Sequence, residues 1–275
     1  MEPIPGIEVR GLSIGGVETC IDLPRQKLCF DIGRCPREAV ARPTVLFTHA
    51  HMDHMGGVAY HAATRALQRM APPTYVVPRE NAEALGELFA AWRRLDRSEL
   101  AHTLVPLSPG EEHCLPNGWV ARAFRSPHRV PCQGYALVST RQKLRADLVG
   151  STREEVRALA LAGERVTEPH ETVEVAFTGD TRVEVLEHEP LVRAARLLIL
   201  ECTFVDQRVS VAECRDKGHV HLDELAERAE LLRNEAVLLT HFSARYGPAE
   251  VRARIDERLP AELAARVTAL VSELR

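Results

Sequence analysis

Thr48-His49-Ala50-His51-Met52-Asp53-His54-Met55-Gly56-Gly57, entered from the apolar run Val45-Leu46-Phe47, is the stretch whose reading decides the fold. Four potential metal ligands, His49, His51, Asp53 and His54, fall within six residues. Imidazoles and carboxylates suit Zn²⁺. Alternate residues of an extended segment project to one side, so His49 and His51 can share one ion. Asp53 and His54, carried past the turn, face a second. Gly56 and Gly57 lack a Cβ, so the chain can turn tightly and start a helix without crowding the ions. A His-rich surface loop would explain the composition, but here an apolar strand leads into the cluster and a helical pattern leaves it.

Downstream of the cluster, Val58, Ala62, Ala66, Leu67 and Met70 recur at helical spacing until Ala71-Pro72-Pro73 stops them. Tyr75-Val76-Val77 reads as a strand. Leu85, Leu88, Phe89, Trp92 and Leu95 mark an amphipathic helix whose outer face carries Arg93, Arg94 and Arg97. Upstream, Ile7-Glu8-Val9, the Gly15-Gly16 turn and Cys29-Phe30-Asp31-Ile32 before Gly33 give a β-rich opening. Further strands are expected at Leu104 to Leu107, Trp119 to Phe124 and Gly134 to Val138. Between 141 and 172 the pattern changes to an insertion, in which Ser151-Thr152-Arg153-Glu154 resembles a capping box and a helix runs to Ala162, closed by Gly163.

Three apolar strands then end in polar ligand types. Val173 to Phe177 leads to Thr178-Gly179-Asp180, Leu197 to Leu200 leads to Glu201, and Val237 to Leu239 leads to Thr240-His241. A helix through Leu222, Leu225, Ala229 and Leu232 precedes the last. Ligands placed repeatedly at strand ends, where loops of a sheet converge, are what a layered α/β site requires. With His128 after Ser126-Pro127, the strand-end set is His49, His51, Asp53, His54, His128, Asp180 and His241. Seven ligands suit two ions sharing one carboxylate, and two ions about 3.5 to 4 Å apart can neutralise charge on a phosphoryl group in transfer.

The 275 residues are expected to form one domain, 1–275, with 45% hydrophobic and 27% charged residues, an ordinary globular balance. No apolar run reaches the roughly 18 residues of a membrane span, and the N-terminus lacks the regions of a signal peptide. Seven cysteines without a CxxC pair read as free thiols. A cytoplasmic location follows as an expectation. The net charge of -4 gives no global attraction to nucleic acid, so RNA binding would need a local basic surface.

The HxHxDH cluster followed by single His, Asp and His ligands resembles the metallo-β-lactamase superfamily. That resemblance implies an α/β fold, the αββα four-layer sandwich, with a binuclear metal site at the sheet edge. A narrower likeness rests on Pro127-His128 with Gly134-Tyr135, Thr178-Gly179-Asp180-Thr181, Glu201-Cys202-Thr203-Phe204, Gly218-His219 and Leu239-Thr240-His241-Phe242-Ser243-Ala244-Arg245-Tyr246. These are similar to the motifs of tRNase Z, the endonuclease that removes the 3′ trailer from precursor tRNA. Gly11-Leu12-Ser13-Ile14-Gly15-Gly16 and Phe30-Asp31-Ile32-Gly33-Arg34-Cys35-Pro36 resemble the short plant-type form.

The resemblance implies two Zn²⁺, with Mn²⁺ or Fe²⁺ as substitutes. His49, His51 and His128 would hold one and Asp53, His54 and His241 the other, Asp180 bridging and Asp53 orienting the nucleophile. Glu201 and His219 would serve the leaving group: an expelled alkoxide needs a proton, which an imidazole held by a carboxylate can deliver near neutral pH. It also implies precursor tRNA as partner, a homodimer and cleavage leaving a 3′-hydroxyl. The chain departs from the pattern at Leu200-Glu201-Cys202-Thr203 and Gly218-His219-Val220-His221, and its insertion balances basic against acidic residues where many members carry a basic tRNA-gripping arm. Arg65, Arg69, Arg93, Arg94, Arg97 and Arg245 are therefore the candidate phosphate contacts. A small-molecule hydrolase of the same fold, acting on cyclic phosphodiesters, thioesters or lactams, and a non-catalytic RNA-binding scaffold are the alternatives.

Overall fold

Alternation of apolar side chains along each strand sets the layers. In the computed structural model, which describes residues 1–272, Tyr135, Leu137, Val175, Phe177, Leu197, Ile199 and Leu238 point to one side of a sheet. Ala136, Val138, Ala176, Leu198, Leu200, Val237 and Leu239 point to the other. Successive Cβ atoms of a strand face opposite sides, so a strand apolar at every position must be covered on both.

The first sheet runs in the order β1 (Arg10–Ile14), β2 (Glu18–Leu23), β3 (Leu28–Phe30), β4 (Thr44–Leu46), β5 (Thr74–Pro78) and β6 (Thr103–Leu107). It is antiparallel from β1 to β3 and parallel from β3 to β6. The second has β7 (Glu112–Cys114), β8 (Val120–Arg125), β9 (Gln133–Leu144), β10 (Thr167–Phe177), β11 (Leu197–Glu201), β12 (Ala236–Thr240) and β13 (Val267–Ala269), adjacent in sequence order. Here β7 to β10 are antiparallel and β10 to β13 parallel.

The two sheets close on each other over Ile21, Phe30, Leu46 and Val76 of the first and Tyr135, Phe177, Ile199 and Leu238 of the second. Burying each such side chain contributes about 1.5 to 3 kcal/mol. The Tyr135 hydroxyl donates across this interface to the Phe47 carbonyl at 2.8 Å. Helices α1 (Met52–Met55), α2 (Val58–Leu67) and α3 (Arg79–Asp96) cover the outer face of the first sheet through Met55, Val58, Ala62, Leu85 and Phe89. The outer face of the second sheet is covered by the helices and loops that flank β11 and β12, through Val185, Val192, Leu222, Leu225, Val251 and Ile255. The result is the expected αββα sandwich.

Several boundaries differ from the sequence reading. β9 and β10 run beyond the sandwich as a two-stranded arm, paired out to Leu144↔Thr167, and carry helix α4 (Arg153–Leu161) at the tip. The insertion is thus the far half of one hairpin. Its capping box joins Thr152 to Glu155: Thr152 Oγ1 accepts from Glu155 N, and Glu155 Oε2 accepts from Thr152 N. β7 had no apolar signal, because Glu112-His113-Cys114 is an edge strand with no buried residue. The helix expected over 222–232 is α-helical only over Leu222–Glu227, then a 3₁₀ turn over Ala229–Leu231. Helix α2 ends at Leu67, which is 84% exposed and faces away from the core.

Candidate metal centre

The parallel strands deliver the ligands to one edge. β4 leads to His49, β10 to Asp180, β11 ends on Glu201 and β12 leads to His241. His51 is the N-cap of α1, which places Asp53 and His54 in its single turn. His128 lies in the loop joining β8 to β9. Ligand atoms of His49, His51, His128 and Asp180 all lie within 4.8 Å of one another, as do those of Asp53, His54 and His241. Asp180 stands between the two groups. Its Oδ2 is 3.7 Å from His49 Nε2, and its Oδ1 is 3.3 Å from both His54 Nε2 and His241 Nε2.

The surrounding hydrogen bonds turn one nitrogen of each ring inward. Asp31, buried at the end of β3, accepts from Thr48 Oγ1 and from His54 Nδ1, each at 2.8 Å. Because the Thr48 hydroxyl donates to Asp31, it accepts from His49 Nδ1 at 3.0 Å. Thr203 Oγ1 likewise donates to Glu201 Oε2 at 2.7 Å and accepts from His241 Nδ1 at 3.0 Å. His128 Nδ1 donates to the Gly218 carbonyl at 2.8 Å. In all four rings Nδ1 is engaged by its support, so Nε2 is the nitrogen directed toward the centre, the orientation a metal requires. His51 presents the other nitrogen, its Nδ1 lying 3.0 Å from His49 Nε2.

Glycine is required where these supports approach. Gly218 caps its helix at φ +83°, and a Cβ there would lie 2.8 Å from His128 Nδ1. Gly179, at φ +60°, would meet the Thr48 side chain at 2.6 Å.

The donor set fits divalent-metal binding. His128 Nε2 and Asp180 Oδ1 are buried without a hydrogen-bond partner among the described residues. Such orphaned acceptors cost about 1 to 3 kcal/mol each, which a bound cation offsets. Burial disfavours charge on every group, yet the imidazoles hold Asp53 and Asp180 well below the usual carboxylate range. Burial pushes His49 well down, with His54 adding to it, so its ring stays neutral. For His54, burial is outweighed by Asp180 and Asp31, and its pKa rises to about 9.

His219 sits beside this cluster. Its Nδ1 donates to Glu201 Oε1 at 2.8 Å and lies 3.9 Å from Asp180 Oδ2. Burial opposes its cation, but Glu201 prevails and raises the pKa to about 9. Glu201 is itself fixed by the backbone N–H groups of Thr181 and Thr203. A cleft of about 480 Å³ opens over the cluster, lined by His51, His128, His219 and His241 together with Arg129, Lys217 and Arg245.

The predicted arginines separate. Arg245 lines the cleft, with its guanidinium 5.6 Å from the Phe204 ring centroid. Arg69, Arg94 and Arg97 are exposed, and Arg93 is half-buried, donating to the Glu99 carbonyl; none of the four lines the cleft. Arg65 is not a surface contact at all. It is 3% exposed, donating to Val40 O at 2.7 Å and to Ala71 O, where it ties the end of α2 to the chain that follows. Arg129 and Lys217, which do reach the cleft, were not singled out by sequence, nor were Thr48 and Thr203. Asp31 had the same signal as Asp180 and Glu201, a carboxylate closing an apolar strand.

The Beta-lactamase superfamily domain model matches residues 17–242. The chain is 43% identical to tRNase Z TRZ1 of Arabidopsis thaliana over 97% of this chain and 96% of that protein. It is 36% identical to the chloroplastic tRNase Z TRZ2 of the same plant, over 97% of this chain and 76% of the other. Among solved structures, the short form of human tRNase Z superposes with a TM-score of 0.61 at 19% identity, covering 97% of each chain. The metallo-beta-lactamase fold protein YhfI of Bacillus subtilis gives 0.63 at 16% identity, again over 97% of each.

Proposed function

The chain belongs to the beta-lactamase superfamily and, within it, to the tRNase Z family, and from that premise we propose that it is a zinc-dependent endoribonuclease removing the 3′ trailer from precursor tRNA. The observation that carries this reading is the pairing of His219 with Glu201 at 2.8 Å in the cleft that the ligand imidazoles line.

Zinc ions held by His49, His51, His128 and by Asp53, His54, His241, with Asp180 shared, would supply Lewis acidity toward the scissile phosphate and lower the pKa of water. Mn²⁺ or Fe²⁺ would suit the same donors. Asp53 Oδ2, which accepts from the Gly16 N–H at 2.9 Å and lies 3.5 Å from His241 Nε2, faces the centre, where Asp53 would hold a cation and orient the nucleophile. Glu201 uses one oxygen on His219 Nδ1, so the imidazole Nε2 is the proton-bearing atom toward the departing 3′-oxygen. With its pKa held up by Glu201, His219 carries that proton at neutral pH. Arg245 provides a cation for RNA phosphate at the cleft.

A homodimer is supported by an apolar cleft of about 600 Å³ between the metal loop and α3, lined by Met52, Tyr60, Leu88 and Trp92 among others. Met52 and Tyr60 are 77% and 62% exposed, apolar area that a second copy would cover. No helix among the described residues is long and apolar enough to cross a membrane. The seven thiols are free, compatible with a reducing, cytoplasmic setting.

Incubation with a trailer-bearing precursor tRNA and with bis(p-nitrophenyl) phosphate tests the reading. Cleavage of the precursor after the discriminator nucleotide, leaving a 3′-hydroxyl, is expected. Hydrolysis of the small diester with no RNA cleavage would favour a small-molecule hydrolase, and inertness toward both a scaffold.

A further inference from the structure

Adjoining the metal cleft at His128 lies a second cleft, of about 550 Å³. Its lining carries four arginines, Arg79, Arg125, Arg129 and Arg182, against one carboxylate, Glu80. The two clefts share His128, Arg129 and Val130, so they meet at a metal-ligand candidate.

The arginines have different commitments. Arg79 donates to Glu111 at 2.6 Å, and Arg182 Nε donates to the Arg215 carbonyl at 3.0 Å. Arg125 and Arg129 are exposed, and neither guanidinium forms an ion pair within 4.0 Å or a hydrogen bond among the described residues; Glu189, which lines an adjoining cleft with Arg125, is the carboxylate that feels its charge. Two exposed cations outside any close ion pair, on a concave surface of a chain whose net charge is -4, mark a local anion track. Pro78, Pro109, Pro127 and Pro131 in its walls keep its shape with little backbone freedom.

Bond polarity says which part of the substrate belongs there. With the Glu201–His219 pair facing the departing 3′-oxygen, the tRNA body lies on the His219 side of the scissile phosphate. The phosphate stays with the trailer. The trailer therefore leaves the scissile phosphate by a side other than the one His219 occupies, and the arginine cleft, which adjoins the metal cleft at His128 and Arg129, lies open to it.

We propose that the cleft bounded by Arg125 and Arg129 binds the phosphates of the single-stranded 3′ trailer. This rests on the tRNase Z reading and adds a specificity to it: cleavage efficiency depends on trailer length through these two residues. No other chain or ion is needed for the contact.

The test compares precursors bearing a trailer of one nucleotide, which has no phosphate beyond the scissile one, and of about ten. For the variant carrying R125A and R129A, kcat/KM on the long trailer should fall about tenfold, and on the short trailer much less. The long-trailer salt dependence should flatten by about 1.4 in log-log slope, at roughly 0.7 per single-strand phosphate neutralised. The charge-conserving pair R125K and R129K should retain the slope. Equal loss on both trailers, no loss on either, or a lysine pair as impaired as the alanine pair would overturn the trailer track while leaving the ribonuclease reading intact. A parent protein that cleaves neither precursor would overturn the ribonuclease reading itself, and this inference with it.

Discussion

The two ends of the β9–β10 hairpin obey different constraints although one ladder joins them. At the inner end every residue from Gln133 to Ser139 is buried, opposite Glu174 to Phe177. That end lies between the two helical layers and delivers Asp180 to the metal centre. At the outer end Thr140 to Lys143 and Glu168 to Glu171 are exposed, and α4 beyond them has no buried residue. A bulge at Glu174 marks the change, with its carboxylate accepting from Ser139 Oγ and from Arg196. The inner end can hold a charge network rigidly because solvent is excluded; the outer end holds only charge pairs such as Arg122 with Glu171 at 3.1 Å, each worth under about 1 kcal/mol.

The difference predicts where substitutions matter. The largest loss is expected at the centre to which the inner end contributes, in His219→Ala, on the loop after the helix that Gly218 caps. Its rate on RNA should fall about 10²- to 10⁴-fold, the scale for a general acid, with metal retained. A nitrophenyl diester, whose leaving group needs little protonation, should suffer much less, so parallel rate measurements decide. Equal losses on both substrates would make the Glu201–His219 pair structural.

Next come the groups that orient the ligands. Asp31→Ala removes the acceptor of His54 Nδ1, and Gly218→Ala drives a Cβ against His128. Each should weaken metal affinity about 10- to 100-fold, measured by competition with a chromophoric chelator. Unchanged affinity would mean that packing alone orients the rings.

A smaller effect is expected from Arg93, Arg94 and Arg97 replaced together by Ala. If α3 helps to neutralise RNA phosphates, the salt slope for precursor binding should flatten by roughly 0.7 to 0.9 for each phosphate that the variant leaves unneutralised. An unchanged slope would assign binding to the residues at the clefts, Arg129, Lys217 and Arg245, instead.

The smallest effect belongs to the outer end. Replacing residues 145–166 by a two-residue turn should leave metal content unchanged and shift Tm by no more than about 2 to 4 °C, the equivalent of about 1 kcal/mol for a domain of this size. A collapse of the fold would erase the distinction between the two ends.

What the sequence made legible follows the same division. Strands apolar at every position and closed by His, Asp or Glu were readable because burial on both faces leaves no polar residues to blur the signal. The strand extensions from Thr140 to Leu144 and from Thr167 to Thr172 were not, since an arm in solvent needs no apolar alternation. Arg65 was misread for a geometric reason that the spacing contained: it stands three residues after Ala62 and seven after Val58, on the buried face of α2. Arg129 and Lys217 carried no signal, because an isolated cation in a loop is placed over a site only by the chain's tertiary path.

Elemental analysis of the purified protein and of its Asp180→Ala variant tests the central claim, that one carboxylate at the inner end of this hairpin joins two metal half-sites. The parent should contain close to two equivalents of zinc or a similar divalent metal per chain, and the variant should lose occupancy at both, because Asp180 faces His49 with one oxygen and His54 and His241 with the other. A variant that loses at most one equivalent would contradict the bridge.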